Sequence, residues 1–216
     1  GGVNYDITPI TSTVTVTNGL NTTSGSTRIV VSTTNTLETG DFVEFTSMAA
    51  TVGGNIFLTS GSDFAVSSID SNSFAIETST TAAATSASTG TVTANFLLPT
   101  GTTDAVAGLG WNAGYYGQST WGTPRSASDI VISPRQWKLD TWGEDFVAND
   151  RGGRVYHWET SAGQEQRAVL ISAAPSVSNS IVVSQEDRHL ICLATTEQAT
   201  GNFNPLLVRW SDQENF

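Results

Sequence analysis

The stretch "WGEDFVANDRGGRVYHWE", residues 142 to 159, holds the residue types most able to do chemistry. Glu144, Asp145, Asp150 and Glu159 stand among glycines, arginines, one histidine and two tryptophans. Two carboxyl groups flanking a glycosidic bond are the acid and base of a glycan hydrolase, and Glu144 with Asp150 is the candidate pair. His157 and His189 are the only histidines, and neither has the tight ligand cluster of a structural zinc site. No glycine-rich loop has the form of a phosphate-binding or dinucleotide fingerprint, so no cofactor is expected. Asn21-Thr22-Thr23 matches a glycosylation acceptor, a weak signal in a threonine-rich chain.

Two further groups are candidates for binding. Trp111, Tyr115, Tyr116 and Trp121 lie in a glycine-spaced run that either anchors an irregular loop to a core or forms a sugar-binding platform. Arg135, Arg151, Arg154 and Arg209 stand in an acidic protein, so they are expected to pair with carboxylates, within the chain or across a subunit contact.

The carboxylates have a second explanation. "GEDFVANDRGGRVYHWE" and "QEDRHLICLATTEQATGNFNPLLVRWSD" share one plan: a polar turn with Glu-Asp, a short apolar strand, a loop, and a strand ending in tryptophan. The copies recur about every 45 to 50 residues, as propeller blades do. On this plan Glu144-Asp145 and Glu186-Asp187 are turn residues, and Asp150 to Gly153 is a hairpin turn whose glycines permit positive φ. The carboxylates then recur because the turn recurs. About two blades are present, and a propeller needs about four, so unclosed sheets should drive self-association.

The elements that position these residues divide by composition. All six tryptophans follow residue 110, and Arg28 is the one basic residue before residue 125. Residues 1–100 read as five to seven short strands of a small antiparallel β-barrel or sandwich. Their signals are "STVTVTN", "STRIVVST", "LETGDFVEFTS", the hairpin "SDFAVSSIDSNSFAIETS" and "TVTANFLLP". "MAATVGG" and "TTAAATSAST" read as loops. Residues 101–128 form a glycine/aromatic linker, and 129–216 the propeller-like hairpin repeats. The fold class is therefore all-β.

Composition excludes several functions. Apolar residues make up 38% of the chain, enough for a core. A net charge of −11 with a single lysine, Lys138, repels phosphate backbones, so dedicated nucleic-acid binding is not expected. Such a surface can still let DNA slide past without sticking. No apolar run approaches the roughly 18 residues of a membrane-spanning helix. The lone Cys192 has no disulfide partner within the chain and reads as a buried small hydrophobe. A start at Gly1-Gly2 suggests a processed, trimmed or excerpted chain.

"PRQWKLDTWGEDFVANDRGGRVYHWE", "RAVLIS", "NSIVVS" and "LLVRWSDQENF" resemble virion proteins of tailed bacteriophages, specifically the tail nozzle or tail tubular protein B family. The resemblance covers residues 105 to 216; "TGDFVEF" and "NSFAIET" extend it more loosely into the first hundred. It implies a β-propeller platform with added β-domains, assembled as a homo-oligomeric ring, often of six, around double-stranded DNA that passes without specific binding. It implies virion localisation, contacts with other phage tail proteins, a part in DNA ejection and no enzymatic role. Full family members are longer and carry more blades. The alternatives are a receptor- or carbohydrate-binding β-domain using the aromatic run, and a glycan hydrolase using Glu144 and Asp150.

Overall fold

Alternation of β-branched and polar residues builds the first half of the chain into strands. The computed structural model describes residues 4–46, 52–56, 58, 61–87, 90–99, 101 and 135–216. The chain forms two units, Gly1–Pro99 with Glu165–Val169, and Thr100–Gln164 with Leu170–Phe216. Among the described residues the one helical piece is a 3-10 turn at Thr160–Ala162.

The first unit has eight strands: β1 (Ile10–Thr17), β2 (Leu20–Thr22), β3 (Arg28–Ser32), β4 (Phe42–Thr46), β5 (Asp63–Asp70), β6 (Ser73–Glu77), β7 (Ser86–Ala87) and β8 (Thr91–Leu97). They form one antiparallel sheet in the order β1-β8-β4-β5-β6-β3-β2-β7. The sheet ends at β1 and β7, so it is open and not a closed barrel. It doubles over at β5, whose first residues pair with β4 (Val43↔Phe64) and whose later ones pair with β6 (Val66↔Ile76). Strand switching of this kind makes the corner of a sandwich. The rings of Phe74 on β6 and Phe96 on β8 meet edge-on at 6.0 Å, although those strands are not sheet neighbours. Val43, Phe45, Ile29, Val31 and Ile76 complete a core whose members come from alternate strand positions.

Gly19 makes the tight step between β1 and β2. A Cβ there would lie 2.6 Å from Val16 Cγ1 and 2.7 Å from the Ser32 carbonyl oxygen. Gly19→Ala is expected to destabilise the first unit by about 2 kcal/mol through overpacking, read as a lower urea midpoint with an unchanged slope.

The second unit holds two antiparallel sheets. One has the order β12 (Val169–Leu170), β11 (Val155–Trp158), β10 (Asp145–Asp150), β9 (Trp137–Trp142); the other is β13 (Ser178–Val183), β14 (Leu190–Thr196), β15 (Phe203–Trp210). Trp142, Val147 and Val155 on one sheet share a core with Ile181, Val183, Leu190 and Cys192 on the other. The Gly153↔Ser178 bridge joins the sheets at one end, and the Val183 amide donates to Asp140 Oδ2 at 2.8 Å. Both repeat copies are strand pairs: β10–β11 around the turn Arg151-Gly152, and β14–β15 around the turn Glu197 to Asn202. Gly152 has φ 79°, as the hairpin turn requires.

Candidate interaction surface

Period-2 alternation gives each sheet of the second unit an inner and an outer face. The inner faces meet in the shared core. The outer faces are apolar too. On β9 to β11 the outer row carries Trp137, Leu139, Phe146, Tyr156 and Trp158, of which Trp137, Leu139 and Phe146 are exposed. The ring of Trp137 packs tilted against Tyr156 at 6.1 Å and that of Phe146 against Trp158 at 5.7 Å. On β13 to β15 the outer row carries Val182, Leu193, Val208 and Trp210. Leu206 is 90% exposed and Trp210 72%. The terminal tryptophans of the two repeats thus lie on outer faces, and Trp210 is largely uncovered.

β15 pairs only with β14, so its other edge is open among the described residues. Pro205 lies within it, the position an edge strand tolerates. A bulge between Leu193 and Thr195, with Ala194 at φ 49°, twists the pair. Both features discourage strand-to-strand addition. The outer face is what remains to be covered.

The arginines take different roles. Arg135 pairs with Asp150, whose carboxylate is buried. Arg151 donates from Nη1 to Gln136 Oε1 at 3.0 Å and is exposed. Arg154 is exposed, and its backbone carbonyl accepts from the Asn149 side chain. Arg209 lies opposite Cys192 and donates to the Thr196 carbonyl at 3.3 Å. Burial pushes the Cys192 thiol up, against a Ser178 hydrogen bond and the Arg209 charge. A cavity of about 290 Å³ is lined by Leu190, Cys192, Arg209, Ser211, Asn215 and Phe216 among others. Trp111, Tyr115, Tyr116 and Trp121 lie outside the described residues.

The structure does not bring Glu144 and Asp150 together. Glu144 sits in the β9–β10 turn and Asp150 ends β10. Six strand residues separate their ends by about 20 Å, whereas an acid pair works at about 5 to 9.5 Å. Asp150 is also engaged by Arg135. Asp145 has a structural role: it accepts from the Thr160 amide at 2.8 Å and lies 3.3 Å from His157 Nε2. The Thr160 amide, with the Thr160 hydroxyl and His157, holds the Asp145 carboxyl below its ordinary value against slight burial. Among the described residues no group of three His, Cys, Asp or Glu could hold a metal ion, and no helix is long and apolar enough to cross a membrane.

Two residues without a clear sequence signature organise the molecule. Asn149 is fully buried, and its Nδ2 faces the carbonyls of Asp150, Gly153, Arg154 and Ser178 at 3.0 to 3.4 Å. Its one signal is a polar residue inside the apolar run "FVAN". Arg167 lies within the first unit and gathers Asp63 (2.7 Å), Glu44 (3.0 Å) and Asp6 (3.3 Å), while donating to the Thr8 carbonyl. Nothing in "QEQRAVL" distinguishes it from a surface arginine.

No family model matches the chain, and no curated protein matches it. Among solved structures it is similar to the phage phi92 endosialidase, with 15% sequence identity and a TM-score of 0.35. That similarity covers 94% of this chain and 30% of the endosialidase chain.

Proposed function

We propose that this chain is a structural component of a bacteriophage tail, of the nozzle or tail-tube ring type, and that its work is assembly and not catalysis. The observation that carries this is the second unit: its two sheets are apolar on outer as well as inner faces, with Leu206 and Trp210 standing in solvent. Blade-like sheets of this kind are stable partners for more of the same. The "WGEDFVAN", "GGRVYHW" and "VRWSDQENF" segments supply the phage-tail resemblance. The acidic first unit, where carboxylates outnumber Arg28 and Arg167, suits a conduit that DNA passes without adhering. The separation of Glu144 and Asp150, about 20 Å along the strand, is wider than an acid pair uses and supports a role other than glycan hydrolysis.

Sedimentation of the purified chain tests this. Assemblies well above 22.8 kDa are expected, and a Leu206→Asp, Trp210→Asp variant should sediment as a monomer with an unchanged far-UV spectrum. A wild-type chain that stays monomeric at all concentrations contradicts the proposal.

A further inference from the structure

The second unit is electrically polar along its strands. At one end lie Gln136 and the start of β9, the turn after β10, and the end of β14, tied together by Arg151 N–H to Gln136 O, Gly152 N–H to Ser178 O and Thr196 N–H to Val177 O. That end carries Arg135, Lys138, Arg151 and Arg154, and Arg209 reaches toward it at Thr196. Among the described residues its acids are Asp150, already held by Arg135, and Glu197, which accepts from Thr200. At the other end lie the β9–β10 turn, the start of the 3-10 turn, and the β13–β14 turn. Gln185 Nε2 donates to Thr141 Oγ1 at 3.2 Å, and the Thr160 hydroxyl donates to the Glu144 carbonyl at 2.7 Å. That end carries exposed Glu144, Glu159, Glu186, Asp187, Asp212 and Glu214 against Arg188. About 20 Å of strand separates the two ends.

Among the described residues, Lys138, Arg151 and Arg154 have no carboxylate within ion-pair distance, although the chain has a net charge of −11. We propose that the basic end formed by Lys138, Arg151 and Arg154 docks the acidic end, around Glu186 and Asp187, of a second copy of this chain. This rests on the self-assembly proposed above and gives it a direction. A two-fold contact through either end would set like charges against each other, which costs several kcal/mol in an interface. A contact of the basic end with the acidic end of the next copy pairs opposite charges, and made head to tail it closes into a ring where the rotation allows. The contact supplies the carboxylates that the three cations lack among the described residues.

The test uses two reversed chains. One carries Arg151→Glu and Arg154→Glu; the other carries Glu186→Lys and Asp187→Lys. All four positions are exposed. Each reversed chain alone should self-associate at least about ten-fold more weakly than wild type, and wild-type assembly should weaken as salt rises. An equimolar mixture should assemble again, because each native end then meets its native partner and the two reversed ends meet each other. Recovery in the mixture also shows that both variants are folded. A wild type that assembles while the reversed chains assemble equally well, or a mixture that stays dissociated, overturns this contact and leaves self-assembly standing. A wild type that never assembles overturns both.

Discussion

Arg167→Met is expected to destabilise the first unit by about 3 kcal/mol at neutral pH, the low end of the range for breaking a buried ion pair. Arg167 is 13% exposed and Glu44 12%, so their charges are poorly solvated once separated. Asp6, at 51%, stays hydrated and contributes less. Methionine keeps the stem's packing but leaves three neighbouring carboxylates without their cation. Burial opposes ionisation of Asp6, yet hydrogen bonds from the Thr8 hydroxyl and amide, then Asp63 and the Arg167 charge, bring it down to about 2. Burial and the hydrogen bond with Asp6 instead push Asp63 up, against Arg167.

The signs give a pH profile. Asp6, being depressed, contributes stability above 3.8 that is lost as pH falls through about 2. Asp63, being raised, contributes stability below 3.8 that is lost as pH rises through its folded value. Without Arg167, Asp6 and Asp63 take up protons earlier on acidification. The deficit of the variant should therefore be widest at neutral pH and narrow toward 3.8. Urea unfolding followed by far-UV circular dichroism measures it. Tryptophan fluorescence reports the second unit separately, because the first contains no tryptophan. A deficit independent of pH would contradict the ionic account.

Asn149→Leu should cost the second unit about 2 kcal/mol, from the lost side-chain hydrogen bonds of a fully buried amide; the Asp150, Gly153 and Ser178 carbonyls keep their backbone donors. The side chain has no exposed surface, and its shortest contacts are the Arg154 carbonyl at 3.0 Å and the Asp150 and Ser178 carbonyls at 3.1 Å. Those carbonyls belong to the end of β10, the residue before β11 and the start of β13, so one amide ties the turn to the neighbouring sheet. Asn149→Asp should be worse, since it removes the donor and sets a charge against carbonyl oxygens. A tryptophan-fluorescence midpoint unchanged in Asn149→Leu would show that the turn holds itself.

Clean alternation makes a strand legible from its residues alone. "STVTVTN" forms β1, "STRIVVST" β3, "DFVEFT" β4, and the hairpin around Asp70 forms β5 and β6. β2 and β7 are not legible, because three and two residues carry no period. β7 lies in "TTAAATSAST", which looks like a loop and pairs only because Thr22 lies opposite Ser86. Of "RAVLIS" only Val169–Leu170 forms a strand, because the Ala168 amide donates to the Ile7 carbonyl and Arg167 is taken up by Glu44, Asp63 and Asp6. The repeated Glu-Asp is legible as turn chemistry in its first copy, where Asp145 clamps Thr160. Charge polarity is not legible, because Lys138, Arg151 and Arg154 are brought to one end only by antiparallel pairing.

Electron microscopy of virions carrying this chain, with the chain labelled, is expected to show a ring of copies on the tail, around the path of the DNA. Label absent from the tail, or single copies without ring symmetry, would contradict it.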